Sequence, residues 1–270
     1  MEYQRRSLLL RIFRTTYGGM KSWRIYERCS INRVQILNEA KMINKPQTPP
    51  CFIPDVIGSL SFFNADCMEI MKQYTDKYFD LAIVDPPYGI GMGGGKVGNS
   101  KKDYKQFAGS DSCIPNADYF AELKRISKHQ IIWGGNYMIE HLEPTACFLV
   151  WDKVQPEDFT MAMCEFAWTS MDTPAKIYKK RIVGADKDGR IHPTQKPVDL
   201  YDWILTKYAN ENDKIIDTHL GSGSIAIAID KANTLDKKNL TFVGIELDPD
   251  YFRAAVERFK NYKKQGTLSF

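Results

Sequence analysis

Apolar residues fall along this chain in short runs, most of them closed by a glycine or an acid. Phe79-Asp80-Leu81-Ala82-Ile83-Val84 is rich in branched residues and reads as a buried strand. Leu60-Ser61-Phe62-Phe63, Gln130-Ile131-Ile132-Trp133, Asp213-Lys214-Ile215-Ile216-Asp217 and Thr241-Phe242-Val243-Gly244-Ile245-Glu246 read the same way. Two further strands are expected at Cys147 to Trp151 and Glu165 to Thr169. Helical patterns lie between them. Met68 to Lys77 predicts a short helix and turn. Asn116 caps a helix through Lys128, with Tyr119, Phe120, Leu123 and Ile126 inward. Pro197 to Tyr208 turns Leu200, Trp203, Ile204 and Leu205 to one face, and a last helix runs from Pro249 to Tyr262. Strands alternating with helices predict an α/β fold with a doubly wound, mostly parallel sheet.

Composition narrows the class. The chain has 270 residues, 43% of them hydrophobic, enough for one large core. It has no apolar run of about 18 residues, so no membrane span is expected. The six cysteines form no Cys-x-x-Cys pair and no histidine cluster accompanies them, so neither a zinc site nor a disulfide framework is expected. A reducing, cytoplasmic setting fits. The net charge of +4 is uneven: residues 1–45 hold ten Lys/Arg against three Glu, or +7, leaving −3 for the rest. Residues 1–45 show no helix or strand period and read as a basic arm or a mis-started leader, with Met42 as the working start. A DNA-contacting arm and a transit peptide are the other readings. Residues 46–270 are expected to hold the working domain.

The chemistry concentrates at two strand ends. Asp85-Pro86-Pro87-Tyr88 follows the Phe79 to Val84 strand. Each proline fixes its own φ and gives up its N–H, and the residue before a proline is pushed toward extended backbone. The tetrapeptide is therefore stiff, with carbonyls and a carboxylate that can accept from a planar amino group and a ring that can stack on it. A proline turn with a solvated acid is the plain alternative. The second strand end runs from Asp217 into Thr218-His219-Leu220-Gly221-Ser222-Gly223-Ser224 and then Ile225-Ala226-Ile227-Ala228-Ile229. Strand, glycine turn and helix let a backbone approach a nucleoside closely. Glu246 follows at the spacing of a ribose-hydroxyl ligand. Gly89, Gly91 and Gly94 fit the dinucleotide pattern formally, but no apolar helix follows them.

Together these motifs resemble the amino-group DNA methyltransferases that use S-adenosylmethionine, in the permuted beta class where the catalytic motif precedes the cofactor motif. The matches are Asp85 to Tyr88, Asp217 to Ser224, Glu246 with Leu247-Asp248-Pro249, and His192-Pro193-Thr194-Gln195-Lys196-Pro197. Asn64-Ala65-Asp66, Trp133-Gly134-Gly135-Asn136-Tyr137 and Phe148-Leu149-Val150-Trp151-Asp152-Lys153 extend the likeness over about residues 58 to 262. It departs at Thr218-His219, where the family more often has Pro-Phe.

The resemblance implies a Rossmann-like class I methyltransferase fold, with S-adenosylmethionine as cofactor and duplex DNA as partner. It implies Asp85 and the Pro86 carbonyl as acceptors for an adenine N6 amino group, with Tyr88 stacked on the base. It places Glu246 at the cofactor's ribose, Asp66 near its adenine, and Thr194 and Lys196 near its carboxylate. A surface lysine before a proline is the equal alternative for Lys196. N4-cytosine methylation is the nearest rival, because cytosine presents a similar amino group; in the family that specificity more often carries Ser in place of the acid, so Asp85 favours adenine. A catalytically inactive DNA-binding protein is a further alternative. Homodimers are common in the family; neither that state nor a restriction nuclease partner is readable here. Two basic, irregular segments are expected to meet DNA: residues 89–113, with Lys96, Lys101 and Lys102, and residues 171–190, with Lys179, Lys180 and Arg181.

Overall fold

The computed structural model describes residues 52–91, 95–96, 103–104, 113–156, 162–181, 190–192 and 194–267. The basic segment 1–45 lies outside them, as do Lys101, Lys102 and the side chain of Lys96. In chain order the elements are β1 (Asp55–Ile57), β2 (Leu60–Asn64), α1 (Cys67–Met71) and β3 (Phe79–Val84). A two-residue pair follows, β4 (Gly95–Lys96) and β5 (Asp103–Tyr104). Next come α2 (Ala117–Ile126), β6 (Ser127–Trp133), β7 (Phe148–Asp152), β8 (Cys164–Thr169) and β9 (Lys176–Lys179). The chain continues with α3 (Val198–Tyr208), β10 (Lys214–Asp217), α4 (Ser224–Leu235), β11 (Thr241–Glu246) and α5 (Pro249–Thr267).

Nine strands make one sheet in the order β1-β2-β11-β10-β3-β6-β8-β7-β9. The run from β2 to β6 is parallel throughout. Its strands are apolar on both faces, and both faces are covered. Ile83, Ile131, Ile215 and Phe242 pack under α3, α4 and α5 on one face. Val84, Ile132, Ile216 and Ile245 pack under α1 and α2 on the other. The helix after β3 therefore lies on one face and the helix after β10 on the opposite face. The chain's winding reverses between these two neighbouring strands, which opens a crevice at their C-terminal ends.

The predicted strands and helices form, except that the helix expected through Lys128 ends at Ile126, and Ser127 and Lys128 open β6 instead. Asn116 caps α2, accepting from Tyr119 N–H at 3.2 Å. Two strands of the sheet were not expected, and the β4–β5 pair also forms within a segment read as an irregular loop. β1 is a three-residue hairpin partner of β2. β9 lies within the segment read as irregular, parallel to β7 at the sheet's edge. Its four residues are too short and too charged to carry a strand signal, and only pairing with β7 defines it. Among the described residues no helix is long and apolar enough to cross a membrane.

Candidate active site

The parallel run brings four acids to one edge of the sheet. Asp66 follows β2 and caps α1, accepting from Met68 N–H at 2.8 Å. Glu246 ends β11 beside Asn64, Asp217 ends β10, and Asp85 lies just past β3. Asp217 and Asp85 thus flank the crevice where the winding reverses.

Asp85 is engaged on both oxygens. Tyr88 donates its hydroxyl to Oδ1 at 2.6 Å, and the Lys196 ammonium donates to Oδ2 at 2.5 Å. Lys196 also lies 3.1 Å from Glu165 Oε2, and Lys153 pairs with Glu165 Oε1 at 2.8 Å. Burial pushes the Asp85 carboxyl above the usual carboxylate range, Lys196 opposes this, and Glu165 adds to it. Burial would lower the Lys196 ammonium, but Asp85 and Glu165 hold it above its ordinary value, so it stays charged. Lys196 was expected either at a cofactor carboxylate or as a surface lysine; its side chain is 2% exposed, which rules out the surface reading, and it pairs with these two acids. Lys153 and Glu165 were not predicted as site residues. Their pairing crosses from β7 to β8, and no local pattern announces it.

Tyr88 is seated on backbone. Gly134 adopts φ +68°, and a Cβ there would fall 2.1 Å from the Tyr88 ring. Tyr137 lies parallel to Tyr88, at 5.2 Å between ring centroids and 18° between planes. Trp133 adds a ring 5.2 Å beneath the Lys196 ammonium.

The glycine turn forms the other half. Gly221 and Gly223 both have positive φ, which lets the chain reverse from β10 into α4. Glu246 Oε2 accepts from Gly221 N–H at 2.8 Å, and Oε1 from Asp248 N–H at 3.0 Å. The Glu246 carboxylate therefore fixes the turn and keeps lone pairs for a ligand. Arg258, buried on α5, donates to Ser222 O and Ser224 Oγ, both at 2.9 Å. It braces the turn from below; an arginine among Ala255, Val256 and Phe259 on an apolar face was the available signal. Thr194 is exposed, with its hydroxyl 3.1 Å from His192 Nδ1. His192 packs on Tyr251, and its ring would lie 3.9 Å from a Cβ at Gly221. Burial lowers the His192 and His219 imidazoles to about 4, so both are neutral. His219 packs edge-on against Tyr119.

β9 runs in the same direction as β3, so its C-terminal end shares the edge that holds Asp85. Four strand spacings separate them, about 19 Å. Of the three cations predicted there, Lys180 pairs with Asp199 and Lys179 stands 3.9 Å from Asp152. Arg181 is exposed.

A mostly parallel sheet with a glycine turn and strand-end acids at its reversal defines the Rossmann-like methyltransferase class, here with the acidic tetrapeptide ahead of the glycine turn. Residues 132–257 match the N6/N4 methyltransferase family model, described as DNA methylase. The type II methyltransferase M2.LlaDCHI of Lactococcus lactis subsp. cremoris is 36% identical over 240 residues, covering 72% of this chain and 87% of that protein. M2.MboI of Moraxella bovis, also a type II methyltransferase, is 22% identical over 245 residues, covering 74% and 88%. Among solved structures, the cytosine-N4-specific PvuII DNA methyltransferase shares the fold. Its TM-score is 0.51 at 13% identity, over 74% of this chain and 86% of that one. The chain belongs to the N6/N4 DNA methylase family.

Proposed function

We propose that this protein transfers a methyl group from S-adenosylmethionine to the N6 amino group of an adenine flipped out of duplex DNA. The observation that carries the reading is the position of Asp85, at the winding reversal and beside Tyr88. An exocyclic amino nitrogen is a weak nucleophile because its lone pair is delocalised into the ring. Asp85 and the Pro86 carbonyl accept its N–H bonds, which turns the lone pair toward the methyl donor. The Asp85 carboxylate also stabilises positive charge growing on the nitrogen. Pro87 keeps the tetrapeptide stiff. Flipping the base costs on the order of a few kcal/mol, and stacking on Tyr88 returns roughly 1–3 kcal/mol. An acid at position 85, where cytosine-specific relatives more often carry Ser, favours adenine.

The other half of the crevice suits a cationic nucleoside. Burial lifts the Asp217 carboxyl to about 8, and Asp85 and Glu246 add to this against a bond from His219 N–H. Lys196 offsets this only in part, and among the described residues no ion pair reaches Asp217, whereas the sulfonium and α-ammonium of S-adenosylmethionine are cations. Glu246 would hold its ribose hydroxyls, Gly221 and Gly223 would admit it closely, and Asp66 and Thr194 would border it. When bound, it supplies an electrophilic methyl group. At pH 7 an acid titrating near 8 is largely protonated, and a bound cation favours its carboxylate. Cofactor binding should therefore release on the order of one proton. Calorimetry in buffers of different ionisation heat measures this; a binding heat independent of buffer would exclude Asp217 as the cation's partner.

We read residues 46–270 as the methyltransferase domain, with DNA lying along the edge from Tyr88 to Arg181 and residues 89–113 and 171–190 reading the site. The test is transfer from labelled S-adenosylmethionine to unmethylated DNA, followed by nucleoside mass spectrometry. N6-methyladenine is expected. N4-methylcytosine would reassign the base, and unlabelled DNA despite bound cofactor would overturn the reading.

A further inference from the structure

Lys153, Glu165, Lys196 and Asp85 form a chain of alternating charge that runs from the end of β7 inward to the crevice. The links are 2.8 Å, 3.1 Å and 2.5 Å. The two lysine side chains are 7% and 2% exposed, although they lie on segments 43 residues apart in sequence. Val154, a branched residue held at φ +50°, turns the chain immediately after Lys153. Burying four charges in this way is tolerated only because each has a partner.

We infer that Lys196, anchored by Glu165 and Lys153, is the positioning residue for Asp85: it fixes Oδ2 and keeps the carboxylate ionised, leaving Oδ1 on the Tyr88 side to meet the base. Asp85 needs such a partner. Burial and Glu165 raise its carboxyl, and Lys196, helped by the Tyr88 hydroxyl that donates to Oδ1, opposes them. A neutral Asp85 would lose one acceptor and its charge, and methyl transfer with them. The inference rests on the proposed function, and it assigns Lys196 to the acid rather than to the cofactor's carboxylate.

Two double variants test it, each removing one lysine and one acid so that the buried charge stays balanced. K153M/E165Q leaves Lys196 on Asp85. K196M/E165Q takes it away. Single-turnover methyl transfer to DNA is measured against pH at saturating cofactor and DNA, with cofactor affinity measured in parallel by calorimetry. The acidic limb in K196M/E165Q should lie roughly 1–3 pH units above that in K153M/E165Q, the effect of one close opposite charge, since both variants lack Glu165. In K153M/E165Q it should stay in place or move down, because Glu165 no longer raises Asp85. Cofactor affinity should stay within about threefold of wild type in both, since neither variant then touches a cofactor ligand. Coincident pH profiles in the two variants would overturn the inference. So would a tenfold or greater loss of cofactor affinity confined to K196M/E165Q, which would make Lys196 a cofactor ligand. A wild-type protein that methylates no DNA would instead strike at the proposed function.

Discussion

Asp85→Ala should lower the single-turnover rate of methyl transfer by roughly 10²–10³-fold, the scale for removing one group aimed at charge that develops in a transition state. Cofactor affinity should change little, because Asp85 stands on β3 and the glycine turn on β10. The variant should also melt earlier. Lys196 would keep the Tyr88 hydroxyl and, as its ion-pair partner, Glu165, already shared with Lys153. Breaking a buried pair by removing one partner costs about 3–5 kcal/mol; Asp85 keeps 18% exposure, so the lower end applies. Rapid-quench turnover with bound cofactor separates the two effects, because a folded variant that binds cofactor and fails to transfer isolates the chemical role. Full activity in that variant would remove Asp85 from the mechanism.

Glu246→Ala should weaken S-adenosylmethionine binding by roughly 10–100-fold, the equivalent of one or two hydrogen bonds to a charged group. Two losses combine. The ribose loses its carboxylate, and Gly221 N–H loses the acceptor that holds the turn at 2.8 Å. Glu246→Gln keeps one acceptor oxygen and should fall between the variant and wild type. Burial already raises the Glu246 carboxyl, with bonds from Gly221 and Asp248 opposing it. The neutral amide avoids burying a charge but can accept from only one of the Gly221 and Asp248 N–H groups, so its affinity change reports on both the turn and the ligand. Calorimetry reads both variants, and equal affinity in all three proteins would refute the assignment.

Much of this site is written locally in the chain. Short branched runs fix strands because their side chains must be buried on two faces. Gly221 and Gly223 mark the turn because L side chains rarely adopt positive φ. An acid at a strand end is visible wherever the strand is visible. The motifs and their permuted order follow from such strings, and they identify the family.

What the chain does not write locally is the company each group keeps. Lys196 reads in sequence as a surface lysine or a cofactor ligand. Only the sheet order, which sets β3, β6, β8 and β7 side by side, brings it onto Asp85 and brings Glu165 and Lys153 behind it. β9 has too few residues to show a period and exists through its pairing with β7. Gly134 looks like one glycine of a pair until Tyr88 is found resting on it. Local sequence determined the elements, the turn and the acid proposed for catalysis, because backbone preference and burial act over a few residues. The tertiary structure alone decided which charges neutralise one another. That energy depends on distance and burial, and residues far apart in the chain carry no record of either.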